Sequence, residues 1–84
     1  MQPGLETTLD LAKVRILQGN GDAALAVLQP AAEREAANLE VQFFLGEAYR
    51  VAGQPAHARE AYEAALRIDP RFSPARAALE ALPR

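Results

Sequence analysis

The chain has 84 residues, half of them apolar, a formal charge of −2, a single histidine and no cysteine. That length supports one small, lean core. The absence of cysteine excludes disulfides and thiolate metal sites, and the slight acidic balance lacks the basic footprint that phosphate backbones require, so nucleic acid is not an expected partner.

Alanine, leucine, glutamate and arginine dominate, and β-branched residues are few, which favours an all-helical chain. The opening stretch from Met1 to Thr8 has neither the basic nor the apolar region of an export signal. The longest apolar runs are far too short to cross a bilayer, so no membrane partner is expected. A cytoplasmic location is favoured, with a periplasmic one, or excision from a larger protein, left open.

Glycine, asparagine and proline punctuate the chain at Gly19-Asn20-Gly21, Asn38, Gly53-Gln54-Pro55 and Asp69-Pro70. Five helices result. The first is expected over about Thr7 to Gln18, with Leu11, Val14, Arg15 and Gln18 on one stripe. The second spans about Asp22 to Glu35 and opens with an acid suited to a helix N-terminus. Pro30 lies inside it and predicts a bend or an early end. The third covers about Leu39 to Ala52. The fourth, about Ala56 to Ile68, begins beside Pro55 and stops before Pro70, which disfavours helical geometry in the residue preceding it. The fifth has Ser73 as N-cap, Pro74 as first helical residue and Pro83 at its end. Connections this short make neighbouring helices antiparallel.

Shifting the chain by 34 residues against itself places Leu5 on Leu39, Glu6 on Glu40, Leu11 on Leu45, Gly19 on Gly53, Ala24 on Ala58 and Ala31 on Ala65. Ala12 falls under Gly46 and Leu28 under Tyr62. Small residues recurring at fixed places are what close helix crossings need, since a large side chain on one helix then fits over a small one on the other. Gly46 costs roughly 1 kcal/mol in helix propensity relative to alanine, and a close crossing offsets it. Gly53 instead serves a turn that needs positive φ.

The second copy reads Leu45-Gly46, then Tyr49, Gly53, Ala58, Tyr62, Ala65 and Pro70, and with these residues the sequence resembles the tetratricopeptide repeats, a family of 34-residue helix-turn-helix units. Gln42 departs from the pattern, where the family often has tryptophan. The first copy keeps Leu11, Ala12, Gly19, Ala24, Leu28 and Ala31 but has Arg15 for the aromatic and Ala36 for the closing proline. The resemblance implies an all-α solenoid forming a single domain over residues 1–84. One degenerate repeat would cover about 5–38, a second about 39–72, and a capping helix about 73–82.

It further implies a concave groove, lined by the first helix of each pair, that holds a peptide or partner protein. Helical spacing puts Glu6, Leu9, Lys13 and Ile16 on one face, and Glu40, Phe43, Glu47 and Arg50 repeat that spacing on the next. Leu9, Ile16 and Phe43 are then expected as an exposed apolar patch rimmed by charge. The competing reading of Phe43 is that it fills space left by Gln42, and for the adjacent Phe44 burial is favoured. The clamp by which some family members capture chaperone C-termini is largely missing: Lys13 stands where that clamp has asparagine, and Leu9, Phe44, Pro74 and Ala78 occupy its other places. An amphipathic helix or an extended segment with an apolar anchor suits such a groove better.

Nothing points to catalysis, and no cofactor is implied. His57 lacks a cysteine or second imidazole as companion and reads as a first-turn surface residue. Glu60 and Glu63 share a helix with Arg59 and Arg67, the usual appearance of a solvated face. The turns around Gly19 and Gly53 lack the following lysine and hydroxyl of a phosphate loop. A second functional class is self-assembly through the ends of the array. The fifth helix carries Ala75, Ala78, Leu79 and Leu82 to cover the fourth and presents Arg76, Glu80 and Arg84 to solvent. The first has Leu5, Leu9 and Val14 with no preceding helix to shield them, so weak homodimerisation through the first hairpin is expected.

Overall fold

A computed structural model describes residues 4–83, and for Leu5 and Glu6 the backbone alone. Five α-helices follow one another: α1 Leu5–Leu17, α2 Gly21–Arg34, α3 Leu39–Val51, α4 Pro55–Ile68 and α5 Ser73–Ala81. The described residues contain no strand. Each helix packs on its sequence neighbour, α3 on α4 most extensively, and α1 also lies against α3. The result is an elongated stack of 41 × 25 × 17 Å.

The breaks fall where the turn chemistry puts them. Gly19 and Gly53 adopt φ of +75° and +77°, a region in which a β-carbon is strained. Asn20 caps α2 by accepting from the Ala23 N–H at 3.2 Å, and Asn38 caps α3 by accepting from the Val41 N–H at 3.1 Å. Asp69 is extended before Pro70 and ends α4.

Two local expectations change. Pro30 does not end its helix: α2 runs on to Arg34. Proline removes only one backbone donor, and both Pro30 and Ala26, whose carbonyl loses that donor, are exposed, so water can serve the carbonyl instead. Ser73 is not the cap of α5 but its first residue; the cap is Phe72, which makes no side-chain capping bond. The Phe72 ring packs edge-on against Phe43 at 5.3 Å, so aromatic packing anchors the chain there and the helix starts one residue earlier.

The core consists of two clusters. Leu9, Ala12, Ala24, Leu25, Leu28, Ala31, Val41 and Ala48 join α1, α2 and α3. Ala58, Tyr62, Ala65, Ala75 and Leu82 join α4 and the C-terminal segment, with Phe43 and Phe72 packed against them. Leu9, expected on an exposed face, is only 6% exposed. The stripe of Leu11 and Val14 faces outward instead, at 41% and 47% exposure. The α1 helix carries apolar residues on both faces, so periodicity could not choose which of them meets α2; the approach of α2 and α3 to one side of α1 did. On α5, Ala75 and Leu82 are buried and Ala78 and Leu79 half-buried, the expected capping face, while Arg84 lies outside the described residues.

Gly46 holds the closest crossing. A β-carbon there would sit 2.6 Å from the ring carbons of Tyr62, itself wholly buried. Gly21, at the start of α2, is similarly tight, because a β-carbon would collide with the backbone of Ala52. Substituting Gly46 forces either the ring or the two helices to move. Gly46→Ala is therefore expected to destabilise the fold by about 1–3 kcal/mol despite alanine's better helix propensity, and Gly46→Leu by more. Urea denaturation followed by circular dichroism measures this, and an unchanged or raised midpoint would contradict the packing.

Candidate partner-binding groove

Because α1 and α3 run side by side, their side chains converge on a cleft of about 250 Å³ lined by Lys13, Ile16, Leu17, Phe43, Phe44 and Glu47. Three of its residues come from each helix, so the cleft exists only when both are in place. Ile16, Phe43 and Phe44 are half-buried and give it an apolar floor, while Leu17 stands at its edge, 86% exposed. Phe44 meets Phe43 edge-on at 5.1 Å, and the Lys13 ammonium lies 5.1 Å from the centre of the Phe44 ring. This cation–π placement leaves the charge on the α1 side of the opening. Asp10 approaches Lys13 at 4.0 Å, an exposed pair of little energetic weight.

Glu47 supplies the opposite charge and is firmly held. Its Oε1 accepts from the Tyr62 hydroxyl at 2.6 Å and its Oε2 from Arg50 Nη2 at 2.7 Å. Charge-assisted hydrogen bonds of this length fix the carboxylate's position. The bond to Glu47 raises the Arg50 pKa above its ordinary value, and burial, reinforced by Glu47, raises that of the Tyr62 phenol well above its usual 10.0. Thus Tyr62, whose ring fills the space at Gly46, also reaches through to the groove.

Of the residues expected to line a groove, the structure brings Lys13, Ile16, Phe43 and Glu47 to one cleft. Arg50 adjoins it through Glu47. Glu40 is exposed in the first turn of α3 but does not line the cleft, Leu9 is core, and the side chain of Glu6 lies outside the described residues. Phe43 lines the cleft while its ring packs on Phe72 at 5.3 Å and on Tyr62 at 5.9 Å. It does not replace Gln42, whose amide donates to the Ala36 carbonyl at 2.9 Å elsewhere.

Sequence reasoning missed Leu17 and the Tyr62 hydroxyl. Leu17 was accessible to it, being one helical turn after Lys13 and so on the same face. Tyr62 was assigned to packing alone, and nothing in its spacing showed that its hydroxyl would find Glu47.

His57 lies away from the cleft. It is exposed and stacks on Tyr49 with ring centres 5.1 Å apart, beside a separate depression of about 210 Å³ lined also by Gln42, Leu45, Glu60 and Ala61. Among the described residues no cluster of histidine, cysteine, aspartate or glutamate could hold a metal ion, and no helix is long and apolar enough to cross a membrane.

The tetratricopeptide-repeat family model matches residues 39–72, the segment that forms α3, α4 and the turn into α5. Residues 39–72 form a tetratricopeptide repeat, and the five-helix fold around it is of the tetratricopeptide type. The matched repeat supplies Phe43, Phe44, Glu47 and Tyr62, whereas Lys13, Ile16 and Leu17 come from outside the matched segment. No curated protein matches the chain. Tetratricopeptide repeats are in general non-catalytic modules for protein–protein interaction.

The hydrogen bond from Tyr62 yields a pH-dependent prediction. A phenol whose pKa is higher folded than unfolded stabilises the fold fully below its unfolded value of about 10, and this contribution is lost as pH rises from there through the folded value. Tyr62→Phe should lower stability by about 1–3 kcal/mol at neutral pH, since Glu47 loses a donor. The variant should also lose stability less steeply than the parent above pH about 10. Denaturant midpoints across an alkaline series test both points, and parallel curves would contradict the assigned bond.

Proposed function

We propose that the chain is a non-enzymatic recognition module that binds a peptide or partner protein in the cleft between α1 and α3. The hairpin α1–α2 acts in this reading as a degenerate first repeat and α5 as the cap. The observation that carries it is the cleft itself: an apolar floor of Ile16, Phe43 and Phe44 opens between Lys13 on one helix and a pinned Glu47 on the other. An apolar side chain of the partner fills the floor. Charges flanking that anchor meet the two rims, the partner's acidic group on the Lys13 side and its basic group on the Glu47 side. Such a ligand is a short amphipathic segment, as in other helix-in-groove or extended-peptide modes. Glu47 does not have to be ordered on binding, because Tyr62 and Arg50 already hold it, and this preorganisation lowers the entropic cost of binding.

Selection from a displayed random-peptide library, followed by amide-shift mapping, tests this reading. Selected peptides should carry an apolar residue flanked by opposite charges and shift the amides of Lys13, Ile16, Leu17 and Phe44. Leu17→Glu and Lys13→Glu, both on accessible side chains, should weaken binding roughly tenfold or more, a loss of about 1.4 kcal/mol, while helicity is retained. Phe43→Ala is expected to reduce stability together with binding, because it removes the ring packed on Phe72 and Tyr62. Shifts confined to the depression beside His57 would overturn the assignment.

A further inference from the structure

A stripe of four positions on α3 recurs in full on α1 and at its first three positions on the C-terminal segment. On α3, Val41, Leu45, Ala48 and Ala52 belong to the core shared with α2. Shifted by 34 residues, Ala75, Leu79 and Leu82 belong to the core shared with α4. Shifted the other way, the stripe is Thr7, Leu11 and Val14 on α1 with Gln18 at its C-cap, and no helix among the described residues covers it: Thr7 and Gln18 are exposed, Leu11 is 41% and Val14 47% exposed. Of the four large apolar side chains most exposed among the described residues, three, namely Leu11, Val14 and Leu17, are on this helix. The opposite end of the stack is closed, since α5 covers α4, so head-to-tail stacking of copies has no open face to receive α1. Only pairing of α1 with its own counterpart covers both apolar stripes at once.

We propose that α1 is a self-association surface in which two copies pair with their α1 helices parallel about a two-fold axis. Leu11 and Val14 meet their own counterparts, and Asp10 of each copy faces the partner's Arg15. The charges select this orientation. Asp10 and Arg15 flank the Leu11–Val14 stripe on opposite sides and are five residues apart, the spacing at which parallel paired helices bring unlike side positions together across the seam. Two ion pairs form by symmetry. In antiparallel pairing like sides meet instead, so Asp10 would face Leu17 and Arg15 would face Thr8, with neither charge answered. Asp10 is exposed and Arg15 half-buried: among the described residues Asp10 has the loose contact with Lys13, and Arg15 makes an exposed hydrogen bond to Gln18. The seam is about two turns long and falls well short of the roughly 1,200 Å² of stable interfaces, so the dimer is weak and fills only at high concentration.

Sedimentation equilibrium from micromolar to millimolar protein tests the proposal. The expected result is a concentration-dependent rise from monomer to dimer mass, abolished by Leu11→Glu with unchanged helicity. Asp10→Arg alone and Arg15→Asp alone should each weaken the dimer roughly tenfold or more, because like charges then face each other twice. An equimolar mixture of these two variants should restore association as a heterodimer, and added salt should weaken the parent. A constant monomer mass at millimolar protein, a dimer indifferent to Leu11→Glu, or a mixture that fails to rescue would each overturn it. The groove is tested separately, because Leu11 and Arg15 do not line it.

Discussion

The Tyr62 ring occupies the place where a β-carbon on residue 46 would sit, and the close approach of α4 to α3 follows from that contact. With glycine at 46 the ring packs against α3 at that position and is wholly buried. Its hydroxyl then emerges beside Glu47 and fixes that carboxylate at the edge of the groove. Its ring also supports Phe43, which in turn holds Phe72 and thereby sets where α5 begins. One small residue opposite one large one thus connects helix packing, the start of α5 and the cleft between α1 and α3. The first hairpin places Ala12 and Leu28 at the corresponding positions, both wholly buried. Leucine lacks a ring, so alanine is small enough there, and lacking a hydroxyl it has no means of pinning a groove residue. The two sides of the groove accordingly differ, with a doubly hydrogen-bonded anion on α3 and a lysine over the Phe44 ring on α1.

Alanine makes up most of the core, and this also has a functional consequence. Ala12, Ala24, Ala31, Ala48, Ala58, Ala61, Ala65 and Ala75 are all buried. Such residues allow backbones to approach closely but bring little apolar area each, so stability depends on the few large side chains that bridge helices. Leu9, Leu28, Val41 and Tyr62 do this within the stack. Phe43 does it while lining the cleft, so the cleft cannot be altered at that position without loosening the packing on Tyr62 and Phe72. Lys13 and Leu17 carry no such double duty.

Much of the fold was legible in the sequence because its signals are local. Glycine and asparagine fixed the turns, proline closed α4, and the 34-residue spacing of small residues identified paired helices. Those features act within a few residues of themselves, through φ preference, a missing N–H or a capping oxygen. The 39–72 repeat was most legible, since Gly46 and Tyr62 meet within one hairpin, as do Tyr49 and His57. Helical spacing put Glu47 and Phe43 on one face, and both line the cleft between α1 and α3.

What the tertiary structure decided was the allocation of faces and the partners of polar tips. Leu9 and Leu11 are both leucines on one helix, two residues apart. The sequence offers no reason to bury the first and expose the second, because the choice depends on which side α2 and α3 approach. The same holds for Pro30, whose lost donor is harmless only because its side of α2 meets water, and for Ser73, displaced as cap by an aromatic contact to a residue thirty positions earlier. Length, helical class, turn positions and repeat register are properties of neighbouring residues, and the sequence determined them. Burial, the Tyr62–Glu47 bond and the open face of α1 depend on contacts between helices distant in sequence, which only the assembled stack could establish.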